Sequence, residues 1–189
     1  MTMDAQTIRD ALRQEFATLA FARDMFPMLT QWGVKDESVA VHSLGCNYLS
    51  ALGRQLGHWA ASEYPVRVGH KYVRPDVVWW SRPAGDVALI GEFERFEAGQ
   101  QSKLVEKARN LMEAYESLQR KPRAILLVAW TLSGTDLAGS QAARSVAFDG
   151  LRGSDGRYIA ALGTETAFVL AYAVFGQSSG QYRLLEMHL

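Results

Sequence analysis

The sequence predicts an α/β fold: a single domain over residues 1–189, with a mixed central β-sheet flanked by helices. Three observations predict it. Behind Arg123, the run Ala124 to Trp130 is continuously apolar, as expected of a strand buried on both faces. A helical stripe of Leu104, Ala108, Leu111, Tyr115 and Leu118 separates that run from two earlier β-type runs, so the helix reads as a crossover and its flanking strands can lie parallel. Finally, 189 residues at 48% hydrophobic and 21% charged suit a folded domain with a substantial core.

The elements follow in order. From Asp4 to about Arg23, the spacing of Ile8, Leu12, Phe16 and Leu19 is helical, with Asp4 as N-cap and Glu15 on a solvated position. This is an N-terminal helical extension, residues 1–35; Pro27 and Gly33 limit Met25 to Trp32 to a short helix at most. Asp36-Glu37-Ser38 can start the next helix, whose Leu44, Tyr48, Leu49, Leu52, Leu56 and Trp59 repeat at three- and four-residue intervals up to Ala61. Gly45, Gly53 and Gly57 recur along it, and small residues so spaced mark close packing on another element. Tyr64 to Val68 reads as a first strand and Gly69-His70 as a turn. Val77 to Trp80 and Val87 to Arg95 are the next two strands, joined by a loop carrying Pro83 and Gly85. A helix from Gln100 to about Arg120 ends at Lys121-Pro122. Residues 132–165 form a surface excursion, with a helix from Leu137 to Phe148; residues 166–189 hold a C-terminal β-hairpin turning at Gln177-Ser178-Ser179-Gly180.

Composition excludes several classes. Lys plus Arg equals Asp plus Glu at 20 each, so a nucleic-acid partner must meet a local basic patch rather than bulk positive charge. The single cysteine, Cys46, makes no intrachain disulfide, which fits a reducing compartment. The N-terminus has no signal-peptide pattern, and no apolar run reaches the roughly 20 residues of a membrane helix, so a cytoplasmic, soluble protein is the expectation. Gly150, Gly153 and Gly156 make no phosphate loop, because no Lys-Ser or Lys-Thr follows.

Chemistry concentrates between Tyr72 and Tyr115. Asp76 enters one β run, while Glu92 and Glu94 leave the other and share a face. Pairing of the runs as a hairpin brings the three carboxylates together. Such a cluster repels itself unless protons are taken up or a cation joins it, and oxygen-only donors suit Mg²⁺ or Mn²⁺. Arg74 and Arg95 flank the acids and, with His70 and Lys71, can hold a phosphate.

Pro75-Asp76, then Glu92-Phe93-Glu94 a hairpin later, then a helix bearing Lys103 and Lys107, resembles the restriction-endonuclease-like nuclease superfamily, whose signature is Pro-Asp followed by Asp/Glu-x-Lys. The resemblance covers residues 43–131 and implies a core of order α-β-β-β-α-β. It also implies one or two Mg²⁺ (or Mn²⁺) ions and hydrolysis of a nucleic-acid phosphodiester, with DNA ahead of RNA and a homodimer for cutting two strands. By position, Asp76 and Glu92 match metal ligands, and Glu94 stands where the superfamily usually has lysine. Lys103 and Lys107, one turn apart, are candidates for a migrated lysine, with Lys103 preferred for its nearness to Glu94. The additional helix glutamate of many members has no good counterpart, Glu63 being the nearest. In this reading Asp76, Glu92 and Glu94 bind metal, Lys103 or Lys107 orients or deprotonates the attacking water, and Arg74, Arg95, His70 and Lys71 hold the substrate.

Two rivals come from other classes. A catalytically degraded member of the same fold would be a nucleic-acid- or protein-binding module without divalent affinity, using Trp79, Trp80, Trp130 and the tyrosines. A cysteine hydrolase would use Cys46 with His42 or His58; Cys46 and His42 stand one helical turn apart, with no third group in view.

Overall fold

Strict alternation along two neighbouring strands sorts the core onto two faces of one sheet. In the run from Ala124, even-numbered residues (Leu126, Val128, Trp130) pack with Ile8, Leu12 and Phe16, while odd-numbered ones (Ile125, Leu127, Ala129) pack with Leu104, Ala108 and Leu111. This computed structural model describes residues 3–35, 37–137 and 139–189.

Helix α1 (Ala5–Thr18) starts at Asp4, whose carboxylate accepts the Thr7 N–H at 2.8 Å as an N-cap. The predicted single helix then breaks at Leu19, which is buried with φ +52°, and α2 (Ala20–Met25) follows. Glu15, expected in solvent, is buried. Its Oε2 accepts the Phe21 N–H at 3.0 Å, and its Oε1 accepts the Ala22 N–H and the Tyr48 hydroxyl, both at 3.0 Å. Those bonds satisfy first-turn amides of α2 that the break at Leu19 would otherwise orphan.

Asp36 lies outside the described residues. A π-helical turn over Glu37–Val41 runs straight into α3 (His42–Gln55). The predicted extension of this helix to Ala61 is wrong: Gly57, at φ +87°, follows the helix end, and β1 (Trp59–Ser62) pairs antiparallel with the strand that follows Asp76. The segment expected as the first strand of the sheet belongs instead to a separate small hairpin, β2 (Val66–Val68) with β3 (Lys71–Val73).

Next come β4 (Val77–Trp80), β5 (Val87–Arg95), α4 (Gln101–Ser117) and β6 (Ala124–Leu132). Strands β4 and β5 are antiparallel, β5 and β6 parallel, with α4 as the crossover. The predicted helix from Leu137 starts later, as α5 (Ala142–Asp149); Ala138 lies outside the described residues. The excursion is more than surface, because Ala143, Ala147, Leu151 and Ile159 join the core beneath α4. It includes a short ladder, β7 (Leu151–Arg152) with β8 (Tyr158–Ile159).

The C-terminal hairpin, β9 (Ala167–Ser178) and β10 (Gln181–His188), extends the main sheet, with β9 parallel to β6. Its turn is shorter than expected: Ser179 and Gly180, both at positive φ, suffice. The sheet is thus six-stranded and mixed, in the order β1-β4-β5-β6-β9-β10, with α1 and α3 on one face and α4 and α5 on the other. Among the described residues, no helix is long and apolar enough to cross a membrane.

Candidate functional site

The hairpin register does what the sequence predicted for the first two acids. Val77 pairs with Gly91, so the next residues outward along the two strands, Asp76 and Glu92, stand across from each other. Both are buried, Asp76 at 7% and Glu92 at 2% exposure.

Helix α4 supplies the cations. The Lys107 ammonium donates to Glu92 Oε2 at 2.8 Å and lies 3.2 Å from Glu94 Oε2. Lys103, one turn earlier, reaches Glu94 Oε1 at 2.6 Å, where the Arg95 N–H also donates. Lys103 is thus the nearer lysine to Glu94, as its position suggested, whereas Lys107 is the lysine beside the acid pair. Glu94 has both oxygens engaged and pairs with both lysines.

On the other side of Asp76 lies the start of α3. Gly45 allows this approach, since a Cβ there would overlap the Phe93 ring; Gly53 does the same against the Trp79 indole. The approach carries His42 and Cys46 to the strand ends. His42 Nε2 is 3.7 Å from Asp76 Oδ1 and 3.6 Å from Cys46 Sγ. The peptide units of Phe93 hold both neighbours: its N–H donates to Asp76 Oδ2 at 2.8 Å, and its carbonyl accepts from His42 Nδ1 at 2.8 Å. Donor atoms of His42, Cys46 and Asp76 lie within 4.8 Å of one another. Among the described residues, Asp76, Glu92 and Glu94 do not gather three ligand oxygens within that reach.

The electrostatics follow from burial and these pairings. Burial, then the Asp76 charge, push the Glu92 carboxyl up to about 8 against the pull of Lys107. Burial also raises Asp76, opposed by the Phe93 amide, His42 and Lys107. Glu94 experiences the same burial but ends below the ordinary value, because Lys103 and Lys107 outweigh it. Burial works against the Lys107 charge, yet Glu92, Glu94 and Asp76 prevail and it holds its proton more tightly than usual. Burial, reinforced by the charges of Asp76, Glu92 and Glu63, lifts the Cys46 thiol far above its usual range.

The remaining expected site residues fall elsewhere or are engaged. Lys71 pairs with Glu113 of α4 at 2.8 Å. Arg95 pairs with Glu97 at 2.7 Å and lies over the Trp130 ring. Arg74, His70 and Glu63 are exposed. His42 with Cys46 at one-turn spacing was visible in the sequence; that Asp76 faces the same imidazole was not. A cysteine hydrolase needs thiol and acid on opposite ring nitrogens, with a thiolate within reach of neutral pH. Here both converge on Nε2 while Nδ1 is taken by a carbonyl, and the thiol is pushed up, so that chemistry is disfavoured. His58 stacks on Trp79 and is buried, away from Cys46's partners.

Comparison of the chain with protein-family models, with curated proteins and with solved structures returns no match.

Proposed function

We propose that the chain is a Mg²⁺- or Mn²⁺-dependent nuclease that hydrolyses nucleic-acid phosphodiesters at the Asp76–Glu92 pair, with Lys107 as the third active group. The observation that carries the reading is the Lys107 ammonium at 2.8 Å from Glu92, next to the aspartate that follows Pro75. The aspartate of Pro-Asp, an acid from the second strand of the hairpin and a lysine form the superfamily's trio, here with the lysine brought in from the crossover helix. The order α3-β1-β4-β5-α4-β6, with β1, β4 and β5 antiparallel and β6 parallel to β5, supports the restriction-endonuclease-like core.

The donor set fits a hard cation. Asp76 and Glu92 present carboxylate oxygens, and Mg²⁺ is commonly held by one or two carboxylates with waters completing its shell. When bound, such an ion lowers the pKa of its water and neutralises charge on the phosphate oxygens. Glu94, committed to Lys103 and Lys107, is a positioning residue in this scheme rather than a ligand. Lys107 keeps its proton at neutral pH, so it acts as a hydrogen-bond donor and positive charge facing the reacting phosphate, not as a base. Burial favours the protonated form of Glu92, so an ion bound at neutral pH would displace that proton as it takes the carboxylate.

Mn²⁺ titration by calorimetry tests the reading without a guessed substrate. Binding to wild type, with at least about a tenfold loss in Asp76→Asn and in Glu92→Gln, is expected, together with divalent-dependent cleavage of DNA that both variants lose by more than about 100-fold. Equal cleavage by all three proteins refutes the proposal. Unaltered folding without any Mn²⁺ affinity favours instead a degraded member of the fold that binds nucleic acid or protein.

A further inference from the structure

The structure assigns a second kind of metal site on the opposite side of Asp76: His42, Cys46 and Asp76 form a three-ligand centre for a thiophilic divalent ion of the Zn²⁺ class.

Distances support it first. Around a tetrahedral Zn²⁺, with bonds of about 2.3 Å to sulfur and about 2.0 Å to nitrogen and oxygen, sulfur and nitrogen stand about 3.5 Å apart, and nitrogen and oxygen about 3.3 Å. Cys46 Sγ and His42 Nε2 are 3.6 Å apart, and His42 Nε2 and Asp76 Oδ1 are 3.7 Å apart. The first spacing already suits ligation, and the second needs only a few tenths of an ångström from a carboxylate.

Orientation supports it next. A carbonyl oxygen only accepts, so the Nδ1 facing Phe93 O carries the hydrogen, and in the neutral ring Nε2 presents its lone pair to Asp76 and Cys46. Imidazoles that bind metals are held in this way, with the second ring nitrogen donating to a carbonyl or carboxylate. Asp76 is likewise fixed, its Oδ2 taken by the Phe93 N–H and its Oδ1 turned towards His42. A ring nitrogen, a thiol and a carboxylate oxygen that converge in this way are bridged by a cation, either a proton on Nε2 or a metal ion that takes all three as ligands.

The donor set selects the ion. One thiolate, one imidazole and one carboxylate suit Zn²⁺ and its borderline neighbours, whereas Mg²⁺ and Ca²⁺ demand oxygen. On binding, the Cys46 S–H proton leaves to solvent as the sulfur–metal bond forms. The His42 side chain is 33% exposed, which opens a route for the ion and leaves a fourth position for water. The site shares Asp76 with the proposed acid pair but needs neither Glu92 nor Lys107, so a substitution at Glu92 tells the two apart.

Co²⁺ is the probe, added to the protein in metal-free buffer. Cys46 is the only cysteine, so a sulfur-to-cobalt charge-transfer band in wild type reports on that residue without any variant. The expected result is this band, with intense visible absorption of four-coordinate Co²⁺, saturating at one ion per chain and displaced by Zn²⁺. His42→Ala, at a partly exposed position, should weaken binding by at least about tenfold, and Cys46→Ser should abolish the charge-transfer band. Glu92→Gln should leave both bands in place, which separates this site from the acid pair. Absence of the sulfur band in wild type at saturating Co²⁺ overturns the assignment, as does unchanged Co²⁺ affinity in His42→Ala.

Discussion

Replacing Glu92 with glutamine should make the protein more stable, and the gain should depend on pH in a definite way. Glu92 is 2% exposed and its carboxyl is raised to about 8, against 4.5 in an unfolded chain. Below pH 4.5 both states hold the proton and the substitution is nearly neutral. Between pH 4.5 and 8 the unfolded chain releases that proton while the fold retains it, so wild type loses about 1.4 kcal/mol of stability per pH unit. The loss reaches about 3 kcal/mol at pH 7 and levels off near about 5 kcal/mol above pH 8. Glutamine keeps the shape and escapes this loss, while Lys107 retains Glu94. Urea unfolding followed by tryptophan fluorescence at pH 5, 7 and 8.5, with chelator present, measures the difference. A stability gap that stays flat from pH 5 to 8.5, or a wild type that gains on the variant as pH rises, refutes the reasoning.

Other outcomes follow from the same geometry. Lys107→Met leaves a buried carboxylate without its ammonium and should reduce the unfolding free energy above pH 8 by about 3 kcal/mol; Lys103→Met, at a partly exposed side chain, should change it by less than about 1 kcal/mol in the same denaturation series. Gly45→Ala forces α3 away from Phe93 and should cost about 1–3 kcal/mol in thermal unfolding. Glu15→Ala strands the Phe21 and Ala22 amides and the Tyr48 hydroxyl, with an expected loss of about 3 kcal/mol or more by chemical denaturation, whereas Tyr48→Phe, removing one donor, should cost about 1 kcal/mol.

The parts legible in the sequence were those governed by short-range periodicity. Period two along Val87 to Arg95, with an antiparallel hairpin, suffices to set Asp76 across from Glu92, and the apolar run from Ala124 does mark the buried strand next to β5. The end of α3 was misread because Leu52, Leu56 and Trp59 continue a helical spacing past the true stop. Gly57 was the available signal, one residue beyond Leu56 and needing a positive φ. Glu15 was opaque for a different reason. Its partner hydroxyl lies 33 residues away, and its amide partners exist only because the backbone turns left-handed at Leu19. The choice between Lys103 and Lys107 was likewise tertiary, since it depends on how α4 rotates over the sheet rather than on distance along the chain. His42 and Cys46 showed their mutual spacing, but only the depth at which α3 packs supplies Asp76 as a third member.

Phe93 has a consequence for how this region can drift. The atoms that anchor His42 and Asp76 are its main-chain N–H and C=O, which any residue in an extended strand offers. Its ring, by contrast, fills the space that Gly45 leaves and packs in the core beside the His42 ring. Position 93 is therefore free to exchange one apolar side chain for another without loosening the anchor, provided position 45 changes size in compensation. The two positions should covary as a pair, while the anchoring itself stays invisible to any comparison of side chains.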